Sequence, residues 1–224
     1  SPLDHALYTN STLAIEPRTG KMAWYFQHMP GETIDMETGF ERVIVDGEGG
    51  KRRYTIGKAG ILWQLDPAPG KFLSLVETLP QTIYSSVDRE TGKLRYRDDI
   101  INAGIGDSVT ACPGIYGGHN WQAMAYSPEV DALVIPLHQL CSEMVGRKVE
   151  LELGAGGYGG DSRTYQMPGV DDKLGRLAAW DVQDMKELWN VQQRAMFLTG
   201  ALTTAGGLAF VGDVDRYFSA YDVR

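Results

Sequence analysis

Short apolar runs of strand length, broken by acidic turns, set the pattern of this chain. "LAIEPRTGKMAW" (13–24), "WQLDPAPGKFLSL" (63–75) and "LAAWDVQDMKELW" (177–189) each read as an apolar strand, an acidic turn and a second apolar strand. "FSAYDVR" (218–224) is a shorter copy of the same phrase. Asp or Glu with Pro and Gly favours a tight turn, and the alternating apolar residues on either side pair into a half-buried ladder. The acidic turn residues Glu16, Asp66, Asp181 and Asp222 fall 50, 115 and 41 residues apart, and "MAYSPEVDALVIPLH" (124–138) fills the long gap with a similar hairpin. Strand-only units at a period of roughly 40 to 50 residues predict propeller blades. "SSVDRETGKLRY" (85–96) follows the second copy too closely to be another blade and reads as an excursion. Helical periodicity is weak, and 27 glycines and 10 prolines punctuate the strands, so the fold class is all-β.

Two stretches carry candidate chemistry. "FERVIVD" (40–46) and "KRRYTIG" (51–57) read as antiparallel strands around the turn "GEGG" (47–50), with "ILWQLD" (61–66) as a third strand. A hairpin returns to where it started, so Asp35 before it and Lys58 after it belong at the same end, with Glu37 beside them. Glycine next to Lys58 lets the backbone approach a neighbour closely. "GGHNW" (117–121) opens a further strand in this reading, with His119 and Asn120 as a second glycine-flanked polar pair. Strand ends of successive blades converge on a propeller's axis, so these distant residues can share one pocket. On spacing alone, a solvated charge pair is the favoured reading of Asp35, Glu37 and Lys58, with a turn-stabilising side chain for Asn120 and a packed or solvated histidine for His119. "LGAGGYGGDSR" (153–163) lacks a strand-to-helix crossover and reads as a mobile loop rather than a phosphate cradle.

Composition narrows the function classes. A net charge of −8 over 224 residues, with "KRR" (51–53) the nearest approach to a basic cluster, excludes nucleic acid as an expected partner. No apolar run approaches the ~20 residues of a membrane helix. The first ten residues lack the basic and apolar regions of a signal peptide, which is therefore absent or already removed. Cys112 and Cys141, 29 residues apart without a CxxC, are either two buried thiols or one disulfide.

The segment from "LYTNSTLAIEPRTGKMAW" through "GETIDMETG" and "YTIGKAGILWQLD", with "CPGIYGGHNWQAMAYSP" and "TTAGGLAFVGDVDRYFSAYD", resembles the quinoprotein methanol and ethanol dehydrogenases, which are alcohol dehydrogenases dependent on pyrroloquinoline quinone (PQQ). The resemblance covers almost the whole chain. It implies an eight-bladed propeller of four-stranded blades, of which residues 1–224 supply about half, or about four blades. Trp24 and Trp189 take the aromatic places of the tryptophan-docking repeat. The remainder is an N-terminal half or a second copy of the chain.

Carried over residue by residue, Asp35 is the general base on the alcohol, although Ile34 replaces the family's preceding tryptophan. Lys58 hydrogen-bonds the quinone carbonyls, Asn120 contacts the cofactor, and Trp121 beside it joins the cofactor-binding set. Asp35 and Glu37 are candidate ligands for Ca2+ or a lanthanide ion. The family's principal metal ligands lie in the N-terminal half, and Leu198 is the nearest position to its tryptophan beneath the cofactor ring. Cys112 and Cys141 match a disulfide pair, which implies an oxidising, periplasmic setting. The implied reaction oxidises an alcohol to an aldehyde or ketone as Asp35 takes the hydroxyl proton and hydride passes to the quinone, with electrons leaving to cytochrome c or another acceptor. With those N-terminal ligands missing, the isolated chain is expected to be an incomplete enzyme that binds cofactor poorly, and the alternatives are a non-catalytic propeller scaffold and a half-propeller that closes as a dimer.

Overall fold

A computed structural model describes residues 5–47, 49–150, 153–154 and 159–224. Of the glycine-rich stretch 153–163, residues 155–158 lie outside the described residues, and so does the reading of it as a loop.

Sheets follow one another along the chain. The first pairs β1 (Ser11–Ile15) with β2 (Met22–Gln27), and the second is a complete antiparallel meander of β3 (Val43–Gly47), β4 (Gly50–Ile56), β5 (Ile61–Leu65) and β6 (Phe72–Glu77). The excursion predicted at 85–96 is the separate hairpin of β7 (Tyr84–Val87) and β8 (Leu94–Tyr96). It is followed by the one-turn helix α1 (Asp98–Asn102) and β9 (Ser108–Ala111).

The third large sheet orders β10 (Ala125–Ser127), β11 (Ala132–His138), β14 (Gly175–Asp181) and β15 (Glu187–Gln193). Between β11 and β14 the chain leaves to form β12 (Leu140–Gly146) and β13 (Gly160–Gln166), which join β9 in a three-stranded sheet. The last sheet contains β16 (Leu202–Thr203), β17 (Leu208–Gly212) and β18 (Phe218–Asp222).

The repeated acidic phrase forms the same turn each time. Glu16, Asp66 and Asp181 accept at their carbonyls the amides of Gly20, Gly70 and Met185, while their own amides donate to the carbonyls of Lys21, Lys71 and Lys186. Asp88 in the excursion does the same with Gly92 and Lys93. The fifth residue of each turn is left-handed, with φ of 69° at Gly20, 69° at Gly70, 73° at Gly92 and 54° at Met185. Glycine adopts that conformation without a Cβ penalty, which explains its place in three of the four. The aspartate carboxylates also accept the amide two residues on, as in Asp66 with Ala68 at 2.9 Å, and Asp222 in the shorter copy does so with Arg224 at 3.0 Å.

Successive sheets are locked by the tryptophans. The Trp24 ring lies against the turn of the next sheet so closely that a Cβ on Gly70 would fall 2.2 Å from it. Trp189 Nε1 donates to the Val223 carbonyl at 2.8 Å in the following sheet. Among the described residues three large apolar clusters fill the layers, and a small fourth surrounds Cys112 and Cys141. One holds Phe26, Trp63 and Phe72 between the first two sheets, and another holds Tyr54, Ile56, Leu133 and Trp180 between the second and third. The third packs Leu177, Phe197 and Val211 beneath the last sheet. β5 and β11, each covered on both faces, are buried at every residue. This is the all-β, blade-by-blade architecture of a β-propeller. Among the described residues no helix is long and apolar enough to cross a membrane.

Candidate active site

Three chain segments meet at one end of the second sheet: 35–38, the β4–β5 connection at 57–60, and 116–121. Gly57 permits the first contact, since a Cβ there would stand 2.5 Å from the Glu37 carbonyl oxygen. The Lys58 amide donates to that carbonyl at 3.0 Å, and Gly118 N–H donates to the Lys58 carbonyl at 2.7 Å. Gly117, with φ of 87°, makes the second close approach, because a Cβ on it would lie 2.7 Å from Lys58 Cγ. Alanine at either position would force backbone or a buried stem aside.

Lys58 is the centre of this junction. Its side chain is buried, and its ammonium donates to Asp35 Oδ2 and pairs with Glu37 Oε1, each at 2.9 Å. Burial, the largest influence on its pKa, acts to lower it. The hydrogen bonds and charges of Asp35 and Glu37 together outweigh that burial, so Lys58 titrates above the ordinary lysine value and remains charged at neutral pH. Both carboxylates keep an exposed side, at 45% and 41% of the side chain. Asp35 is held at φ 66°, an uncommon left-handed conformation for a residue other than glycine. The carboxylate–ammonium meeting expected from the hairpin is therefore present, in a buried form rather than the solvated pair that spacing alone allows.

The second motif behaves differently. "GGHNW" occupies the connection before β10 instead of opening a strand. Asn120 Nδ2 donates to the Tyr116 carbonyl at 2.8 Å, and its Oδ1 accepts Trp121 N–H at 2.9 Å, so both polar atoms serve its own turn. The Trp121 ring is 60% exposed. Among the described residues no hydrogen bond joins Asn120 or Trp121 to Lys58 or Asp35. His119 is completely buried, with Nδ1 bonded to the Pro136 carbonyl at 3.0 Å and Nε2 3.5 Å from Glu41 Oε1.

Two acids escaped the sequence reading. Burial acts to raise the Glu41 pKa, but the His119 bond and charge and the Met124 amide, 2.7 Å from its Oε1, outweigh it and hold it below the usual carboxylate value. Glu32 is pushed above that value, chiefly by burial, despite backbone amides that favour its charge. The spacing of Glu32, Asp35 and Glu37 in "GETIDMETG" was the available signal for the second, whereas nothing local in "FERVIVD" sets Glu41 apart.

Among the described residues no cluster of three or more His, Cys, Asp or Glu side chains gathers in a form that holds a metal ion. Asp35 and Glu37 supply two carboxylates of the oxygen type that hard cations prefer, which is an incomplete ligand set. Cys112 and Cys141 form a disulfide with Cα atoms 4.3 Å apart, tying the end of β9 to β12. Leu198 lies in the connection from β15 to β16, where its amide donates to the Gly212 carbonyl at 2.9 Å.

No family model matches the chain. It is 32% identical over 224 residues to "Lupanine 17-hydroxylase [cytochrome c]" of a Pseudomonas species, covering 97% of this chain and 32% of that protein. It is 31% identical over 228 residues to the quinohemoprotein alcohol dehydrogenase of Comamonas testosteroni, covering 96% of this chain and 32% of that protein. The solved structure of the Comamonas enzyme superposes with a TM-score of 0.84 at 27% identity, over 98% of this chain and 34% of that one. A europium-containing methanol dehydrogenase superposes with a TM-score of 0.89 at 24% identity, over 96% of this chain and 38% of that one, and supports the fold. The chain thus spans about a third of the length of its relatives. Over nearly its own whole length, it resembles the quinoprotein alcohol dehydrogenases.

Proposed function

We propose that the chain is an arc of about four blades from a PQQ-dependent alcohol dehydrogenase and that the junction of Asp35, Glu37 and Lys58 belongs to its active site. The observation that carries this reading is the buried Lys58 ammonium held between two half-exposed carboxylates. A surface ion pair has no need of burial, and burying a lysine is costly unless its charge is used or matched. The oxygen donors of Asp35 and Glu37 fit a hard cation, calcium or a lanthanide, and the Lys58 ammonium fits the carbonyl oxygens of a quinone, while the close approaches at Gly57 and Gly117 pack the backbone that holds Lys58. Further ligands must come from outside this chain.

When bound, the quinone accepts the hydride and the cation withdraws electron density from it. Lys58 presents fixed positive charge to the quinone oxygens, where negative charge grows in the transition state, without reorganisation at the moment of reaction. Asp35, the other half of the pair, accepts the alcohol's hydroxyl proton at its carboxylate. Glu37 keeps Lys58 anchored when Asp35 turns toward substrate or cation. Asn120 fixes the loop that covers the Lys58 backbone, and Trp121, exposed next to it, is the aromatic residue assigned to the cofactor.

The exposed apolar side chains on the two end sheets are the natural seat of the missing blades. Leu13, Ile15, Met22 and Tyr25 stand out on the first sheet, and Leu202, Leu208 and Phe218 on the last. The disulfide fits a periplasmic setting, and a cytochrome fits as electron acceptor. The test, on the chain completed by the blades it lacks, is titration with PQQ and Ca2+ or La3+, followed by dye reduction with a short alcohol. Metal-dependent binding that Lys58→Ala weakens, with turnover that Asp35→Ala abolishes, is the expected result. Turnover unaffected by Asp35→Ala would reject the assignment.

A further inference from the structure

A cavity of about 500 Å3 opens beside Asp35, between segment 32–35 and the group of α1, β9, β12 and the start of β13. A volume of this size is ordinary for a small-molecule site. Ile100, Val109 and Met144 make its far wall apolar. Its charged lining among the described residues is acidic throughout, comprising Glu32, Asp35, Asp107 and Asp161, with no lysine or arginine. Two of these carboxylates have cationic partners behind the wall, Asp35 with Lys58 at 2.9 Å and Asp161 with Arg147 at 3.0 Å.

The other two are held by backbone amides. Glu32 Oε1 accepts Ile34 N–H at 2.5 Å, and Asp107 Oδ2 accepts Gly104 N–H at 2.8 Å. An amide positions a carboxylate without cancelling its charge. The cavity therefore combines an apolar wall with carboxylates that no lysine or arginine among its described lining residues offsets, and it has the candidate base in its lining.

We propose that this cavity is the substrate pocket and that it selects an alcohol with an apolar body and a positively charged group, such as an amino alcohol or a quaternary ammonium alcohol. The proposal rests on the reading of Asp35 as the base and adds to it the class of substrate. The hydroxyl lies at Asp35, the apolar body meets Ile100, Val109 and Met144, and the cation is drawn to Glu32 and Asp107. Even with solvent reaching Asp107, two carboxylates drawn to one cation favour it over an uncharged isostere by about tenfold.

The test compares two alcohols of the same shape, 4-(trimethylammonio)butan-1-ol and 5,5-dimethylhexan-1-ol, which differ by a charged nitrogen in place of a carbon. Binding to the chain is followed by the shifts of backbone amide resonances along 32–35 and 104–109. The expected result is about tenfold tighter binding of the cationic alcohol, with the ratio reduced in Asp107→Asn and Glu32→Gln, both of which keep an oxygen to accept the backbone amide. Equal affinities, no binding of the cationic alcohol, or a ratio unchanged in both variants would overturn the proposal. A parallel PQQ titration of wild type and Lys58→Ala reports on the parent reading separately, because it measures the cofactor end of the junction and not the alcohol's charge.

Discussion

Lys58 and Asn120 both lie in glycine-containing connections and both carry a polar side chain, yet the structure uses them in opposite ways. Lys58 sends its side chain out of its own turn to carboxylates on a segment 21 and 23 residues earlier. Asn120 spends its two polar atoms on the turn that contains it. The first is a charge placed for something beyond the backbone, and the second holds the backbone that covers the first. A glycine-flanked polar residue is therefore not a site residue by pattern alone. The destination of its hydrogen bonds decides.

The contrast is broken most severely by removing the charges. Asp35→Ala is expected to lower turnover by about a thousandfold, or roughly 4 kcal/mol, as loss of a general base does, while leaving cofactor affinity much less affected. Steady-state kinetics beside equilibrium PQQ binding checks this. Lys58→Ala removes the fixed cation and leaves two carboxylates facing each other, so PQQ affinity should fall by about a hundredfold, read by absorbance titration.

The glycines sharpen the comparison from the structural side. Gly57→Ala would set a Cβ against the Glu37 carbonyl, and urea denaturation should show destabilisation by about 2 to 3 kcal/mol. Asn120→Ala loses two local bonds and should cost only about 1 kcal/mol of stability, with PQQ affinity reduced by less than about tenfold. A larger effect on PQQ than on stability would mean that Asn120 turns toward the cofactor after all.

Acid separates the site from the scaffold that carries it. His28 is lowered to about 3, first by burial and then by the Arg42 charge. His138 is lowered to about 4, first by burial, with the bond to the Phe197 carbonyl opposing and the His119 charge adding to the fall. Both are neutral in the folded protein where the unfolded chain takes up a proton. Their contribution to stability is full above about pH 6.5 and is lost as pH falls toward 3. His28→Gln should flatten the decline in stability between pH 7 and 4.5 by on the order of 2 kcal/mol.

Much of the scaffold was legible because its turns are local. The acidic residue, the left-handed fifth residue and the flanking apolar alternation all lie within a dozen positions, and every copy of that phrase with strands on both sides became a hairpin. Asp35 and Lys58 were legible for a related reason, since a hairpin must bring its two ends together.

The excursion was less so. "SSVDRETGKLRY" uses the same turn as the blades, and only its closeness to the preceding copy marked it as something else. Side-chain direction in "GGHNW" was not legible at all, because the acceptor Tyr116 O becomes available only when the connection folds on itself. The Glu41–His119 contact joins residues 78 apart and depends on how two sheets stack. The order of sheets reads from short-range pattern, whereas the contacts across their junction require the packed layers.

The account turns on Lys58 as the positive end of a cofactor site. Equilibrium titration of PQQ in the presence of La3+, carried out on the wild-type chain completed by its missing blades and on the same assembly with Lys58→Ala, tests that most directly. The prediction is metal-dependent binding in the wild type that is at least tenfold weaker in the variant. Identical affinity in the two proteins would contradict it.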